Sequence, residues 1–135
     1  PQQVYDEPVN LFVANFLGTP PINVFDGEVR NGKLYIGRGA VLDTPNVPDQ
    51  AVHAAIRPEG FALSETGAFT CNLSRVEVMG RDISVVSTHE KSQNVTIRAI
   101  ISAENMASIT GNTVRFDLKP GKVFLFSRET EARLF

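Results

Sequence analysis

From Val24 onward the spacing of apolar positions in this chain changes from helical to alternating. Before that point Val9, Phe12, Val13, Phe16 and Leu17 recur at i, i+3, i+4, i+7 and i+8, which is one apolar stripe on a helix. Pro8 suits the first turn, where its missing N–H costs nothing, and Asp6 and Glu7 complement the positive end of the helix dipole. Gly18 supplies a stop, and Pro20-Pro21 forbids continuation. The pattern predicts a short amphipathic helix over 8–17, too short to stand alone, so its stripe must pack on something.

Strands follow. Phe25 to Arg30 and Lys33 to Ile36 flank Asn31-Gly32, a strong short-range hairpin signal because both residues tolerate positive φ. A loop rich in Pro, Asp and Asn runs from Asp43 to Gln50, and Ala51 to Arg57 reads as a strand. Phe69, Cys71 and Leu73 alternate, and the phase then slips to Val76 and Val78, which predicts a bulge near Ser74-Arg75. Met79 to Asp82 turns the chain into a strand over Ile83–Thr88. Val95, Ile97, Ala99 and Ile101 alternate cleanly, leaving Thr96 and Arg98 on a face expected to meet water. Ala103 to Ile109 fits either a short helix or a loop. Val114, Phe116 and Leu118 alternate again, Lys119-Pro120-Gly121-Lys122 has a type II turn signature, and Val123 to Phe126 makes the return strand. Residues 129–135 read as a charged tail. Short strands, regular turns and no βαβ alternation imply an all-β antiparallel domain closing into a small barrel, with a helix leading into it.

Composition narrows the function. A chain of 135 residues with 42% hydrophobic and 21% charged residues suits one folded domain and argues against disorder. No apolar run reaches membrane-spanning length. The net charge of −2 gives no basic field for nucleic acid, there is no Trp for base stacking, and Arg and Lys are dispersed. The start at Pro1-Gln2-Gln3, without an initiator Met or signal core, reads as a fragment whose beginning lies upstream.

Catalytic signatures are missing. No G-x-x-x-x-G-K-[ST] loop is present, and Gly37-Arg38-Gly39 lacks the strand-to-helix context of a phosphate cradle, so it reads as a bend. Two histidines, His53 and His89, and one cysteine, Cys71, cannot supply a metal's usual ligand set, so no metal is expected. Cys71 reads as a small buried hydrophobe, His53 as a core or edge residue, and His89 as solvated. There is no G-x-S-x-G elbow. No catalytic residue is assigned.

The amino-terminal run, with Pro1-Gln2, Tyr5, Pro8, Asn10, Phe12-Val13-Ala14 and Phe16-Leu17-Gly18, resembles the segment just after the nucleotide-binding domain in ATPases of the maltose and multiple-sugar ABC importers. Four further blocks match in order. Ile56-Arg57-Pro58-Glu59 resembles G-[IV]-R-P-E with Ala55 at the Gly, and Val76 to Asp82 resembles V-E-P-L-G-x-E without its Pro. Gly111 to Val114 fits G-[DQ]-x-V, and Leu125 to Leu134 resembles L-F-D-x-E-T-G-x-R-L with Ser127 for Asp and Glu131 for Gly.

This resemblance implies an OB-type barrel, the transport-associated OB (TOBE) domain, over 23–135, with 1–22 as connector helix and linker from a nucleotide-binding domain that is not in this sequence. It implies a regulatory and dimerising role on the cytoplasmic side, peripheral to the inner face of the cell membrane. Expected partners are a second copy of the same subunit, its own nucleotide-binding domain, the transporter's membrane subunits through the parent chain, and in some members a regulatory protein. ATP and Mg would belong to the parent's other domain, with no cofactor here. Arg57, Pro58 and Glu59, and Phe126, Arg128 and Glu129, are the candidate subunit or regulator contacts. The alternative is a small-ligand sensor for an oxyanion or sugar phosphate, for which Arg57, Arg75, Arg81 and Arg98 are available but show no convergence in sequence.

Overall fold

The computed structural model describes residues 22–135; the helix expected over 8–17 lies outside them. Within the described residues ten strands form two five-stranded sheets. They are β1 (Asn23–Arg30), β2 (Lys33–Ile36), β3 (Gly39–Asp43), β4 (Gln50–Ile56), β5 (Phe61–Leu63), β6 (Phe69–Met79), β7 (Asp82–Thr88), β8 (Ile97–Ser102), β9 (Thr113–Leu118) and β10 (Val123–Ser127). The first sheet has the order β10-β4-β1-β2-β3 and the second β5-β9-β6-β7-β8. Every pairing is antiparallel.

Local chemistry explains the hairpins. Asn31 and Gly32 take φ of 51° and 74°, the two positive values of a type I′ turn whose twist matches its strands. The slip expected near Ser74 is a bulge: Leu73 opposes Ser87 and Arg75 opposes Val86, leaving Ser74 unpaired. Side chains from both sheets meet inside. Phe25, Phe61, Phe69 and Phe116 are at most 1% exposed, and burying each contributes roughly 1.5–3 kcal/mol. Phe25 meets Phe69 edge-on at 5.1 Å, and Phe61 meets Phe116 at 5.0 Å.

Two seams close the sheets into a nearly complete barrel. Along the first half of β1, the side away from β4 is taken by residues 91–94 rather than by β2. Asp26 N–H donates to Lys91 O at 2.8 Å, Gln93 N–H to Val24 O at 2.8 Å, and Val24 N–H to Asn94 Oδ1 at 2.9 Å. The buried Asn23 amide completes the join to the free edge of β8. Its Oδ1 accepts from Arg98 N–H at 2.9 Å, while Nδ2 donates to Arg98 O and Ile56 O at 3.0 Å each. One side chain thus replaces a rung of backbone ladder.

Several expectations change. The strand expected from Val95 begins at Ile97, and Val95 is 92% exposed, because the hydrogen bonds of residues 91–94 hold the preceding chain on β1. The turn over Lys119–Lys122 is 3-10 rather than type II: Lys122 N–H donates to Lys119 O, and Gly121 is not among the positive-φ glycines. The strand that follows does not return on β9. It crosses to the other sheet and pairs with β4. Gly39–Asp43, read partly as a bend, is strand β3. The charged tail folds back on β10, with Leu134 N–H donating to Leu125 O at 2.7 Å and Ser127 N–H to Ala132 O at 2.9 Å. That covers an edge which would otherwise offer unpaired donors.

Candidate functional site

The register lays three rows across the outer face of the first sheet. Val24, Ala55 and Phe124 form the first, Asp26, His53 and Phe126 the second, and Glu28, Ala51 and Arg128 the third. The face therefore grades from apolar to charged. At the apolar end Ile22, Val24, Phe124 and Phe126 pack around the buried Ala55. The Phe124 ring has the Arg57 guanidinium 5.6 Å and the Arg133 guanidinium 5.0 Å from its centre.

The predicted contact residues fall at opposite ends of the β4–β10 pair. Arg57, Pro58 and Glu59 follow β4, where Pro58 opens a 3-10 turn and Glu59 lies 3.7 Å from Lys122. Arg128 and Glu129 follow β10, roughly 20 Å away at about 3.3 Å per strand residue. Phe126 belongs to the apolar cluster. The Arg128 guanidinium donates to Gly27 O at 3.3 Å, and its backbone N–H to Ala51 O at 3.1 Å. The Ser127 hydroxyl accepts from the N–H groups of Glu129 and Thr130 at 3.2 and 3.1 Å, as an Asp carboxylate would. Glu131 sits at φ 65°, a conformation that favours glycine, which is what the resembling motif has there.

Beside this turn is a cavity of about 250 Å³ lined by Asp26, Glu28, Arg30, Tyr35, Lys91 and Arg128 among others. Glu28 is paired with Arg30 at 2.9 Å, and the Arg30 guanidinium lies 4.0 Å over the Tyr35 ring. Asp26 accepts from Gln93 Nε2 at 3.0 Å and lies 3.5 Å from His53 Nδ1. The polar part of this cavity was invisible in sequence, since its residues come from β1, β2, the 91–94 segment and the turn after β10.

The outer face of the second sheet contrasts with it. Arg98, expected to face water, donates to Glu77 at 2.8 Å, and Arg75 reaches the other Glu77 oxygen at 2.8 Å. The hydrogen bond from Arg98, then that from Arg75, holds the Glu77 carboxyl below its ordinary range. So two of the four candidate arginines meet on a carboxylate, Arg57 stands on the other sheet, and Arg81 is at the β6–β7 turn. They do not line one anion pocket.

His89 is the other correction. Its ring lies 5.0 Å from Phe69 and 5.9 Å from Phe25, and burial pushes its pKa down. Cys71 is buried, as expected, and burial pushes its thiol up to about 12, which leaves no reactive thiolate at neutral pH. Among the described residues no group of three or more His, Cys, Asp or Glu is placed to hold a metal, and no helix is long and apolar enough to cross a membrane.

By its strand pairing and closure this is an OB-type antiparallel barrel. The fold is shared with the cytoplasmic molybdate-binding protein ModG, solved with molybdate bound, at a TM-score of 0.52 and 16% identity over 76% of this chain and 94% of that one. The TOBE domain description matches residues 54–126, and the chain belongs to the TOBE domain family. Similar curated proteins are ATP-binding proteins of ABC importers. The sn-glycerol-3-phosphate import ATP-binding protein UgpC of Escherichia coli is 27% identical over 142 residues, which is 99% of this chain and 38% of that protein. The diacetylchitobiose uptake system ATP-binding protein MsiK of Streptomyces coelicolor is 29% identical over 157 residues, 99% and 42% respectively. UgpC of Psychromonas ingrahamii is 26% identical over 144 residues, 99% and 38%. The chain therefore spans well under half the length of these relatives.

Proposed function

We propose that this chain acts as the regulatory and dimerising domain of the ATP-binding subunit of a sugar-class ABC importer, whose parent couples ATP hydrolysis to solute uptake. The observation that carries this reading is collinearity: 99% of the chain aligns with part of the ATP-binding proteins of a glycerol 3-phosphate import system and a diacetylchitobiose uptake system alike. A domain common to importers of different solutes suits coupling better than solute choice. The chain alone has no ATP turnover, since ATP and Mg bind elsewhere in the parent. It works on the cytoplasmic side, against a second copy, its own nucleotide-binding domain and, through the parent, the membrane subunits; some members of such a family also engage a regulatory protein. Arg57, Pro58 and Glu59 serve one of these contacts and Arg128 and Glu129 another, because roughly 20 Å of strand separates these two groups, and Phe126 serves from the apolar cluster between them.

The decisive experiment reads the coding sequence upstream of Pro1 and assays the two forms. A complete ATP site upstream, with ATPase activity in the longer protein and none in the 135-residue chain, is expected. A stop codon or an unrelated domain upstream overturns the proposal, as does stoichiometric ATP turnover by the chain itself.

A further inference from the structure

Lys91 and Arg128 reach the same stretch of β1 from distant parts of the chain. The backbone bond from Asp26 N–H to Lys91 O anchors one beside Asp26, and the bond to Gly27 O anchors the other one residue further on. The small side chain of Ala51, between Glu28 and Arg128 in the third row, leaves that span open. Both cations line the 250 Å³ cavity. Among the described residues neither has a carboxylate within ion-pairing distance, and the Arg128 side chain makes one hydrogen bond, to a carbonyl. The acids of the cavity are already engaged: Glu28 by Arg30, and Asp26 by Gln93 and His53. This leaves two positive charges unmatched beside carboxylate oxygens that retain free lone pairs.

A guanidinium and an ammonium at one site suit the oxygens of a phosphoryl group, the first by its planar fork and the second as a point charge. Carboxylates next to them suit hydroxyl donors. A cavity of this size holds a small molecule rather than a macromolecule. We propose that this cavity binds a small phosphomonoester carrying free hydroxyl groups, with Arg128 and Lys91 on the phosphoryl oxygens and Asp26 and Glu28 on the hydroxyls. The site is complete within the described residues, so it stands or falls apart from the proposed role in an importer.

Calorimetric titration of the 135-residue chain with sn-glycerol 3-phosphate, inorganic phosphate and glycerol tests it. Glycerol 3-phosphate is expected to bind, glycerol to give no heat, and inorganic phosphate to bind more weakly. Arg128→Ala and Lys91→Ala should each weaken binding about tenfold, the scale of one lost charge-assisted hydrogen bond. Arg75→Ala, on the opposite sheet, should leave binding unchanged, and far-UV melts establish that each variant is folded. No heat with glycerol 3-phosphate in the millimolar range overturns the proposal, and so does binding that survives both Arg128→Ala and Lys91→Ala. Equal affinity for inorganic phosphate overturns the assignment of Asp26 and Glu28 to the hydroxyls.

Discussion

On the second sheet's outer face Glu77 lies between Arg75 and Arg98 at 2.8 Å from each, while the first sheet's outer face places Lys91 and Arg128 at one cavity with no carboxylate among the described residues paired to either. Both faces belong to strands of ordinary amphipathic pattern, and both carry arginines. They differ in whether the charges are satisfied internally. A carboxylate shared by two guanidiniums has its lone pairs occupied and offers little to a ligand, whereas an unmatched cation pair retains donors. The first sheet also keeps Phe124 and Phe126 on its outer side, against the buried Ala55. Surface that is only solvated does not need such a gradient from apolar to charged, so recognition is better sought on the first sheet.

One core lies behind both faces, and the largest predicted effect comes from opening a hole in it. Phe25→Ala, at a side chain 0% exposed, should destabilise by about 3–5 kcal/mol, read by chemical denaturation. Next comes the seam. Asn23→Ala loses three hydrogen bonds and strands Arg98 and Ile56 groups, which should remove roughly 2–3 kcal/mol. Asn23→Asp should fail to rescue it, because a carboxylate has no donor for the two carbonyls. If Asn23→Ala melts like the parent, the seam is not held by this amide.

Smaller effects sharpen the contrast between the faces. Glu131→Gly relieves a left-handed residue beside Arg128 and should be stabilising by up to about 1 kcal/mol. His89 titrates where the 89–96 segment meets the core. Its folded pKa is depressed by burial, so its neutral form is favoured in the native state. Its contribution is therefore present above the unfolded value, about 6.5, and is lost as pH falls below it. A difference in melting temperature between the wild type and His89→Phe that does not change between pH 7.5 and 5.5, on a scale where roughly 6.5 is the midpoint, would contradict this. The least effect is expected from Glu77→Gln. Its folded pKa is lowered by Arg98 and then Arg75, so any wild-type advantage should fade as pH falls through the ordinary carboxylate range near about 4.3, and should shrink in salt.

Much of the fold was legible in sequence because its signals are local. Asn31-Gly32 encodes its own turn, and the slip between Leu73 and Val76 encodes its own bulge. The alternation of Val114, Phe116 and Leu118 marks an inward face, with all three side chains buried. The candidate contacts were legible only as motif positions. That Ser127 and Glu131 shape one turn explains in physical terms why the resembling motif has Asp and Gly there.

The sequence by itself determined most of the strands, the Asn31-Gly32 turn, the Ser74 bulge, the buried face of strands such as β9 and the family, since periodicity and turn chemistry act within a few residues. Only the tertiary structure decided partners across the chain. It sent β10 to β4 rather than β9, laid residues 91–94 along β1, put His89 against Phe25 and Phe69, and brought Lys91 and Arg128 to one cavity. Those outcomes depend on which unpaired edge and which uncovered face lie nearest once the barrel closes, and closure is a property of both sheets together that no local window of residues contains.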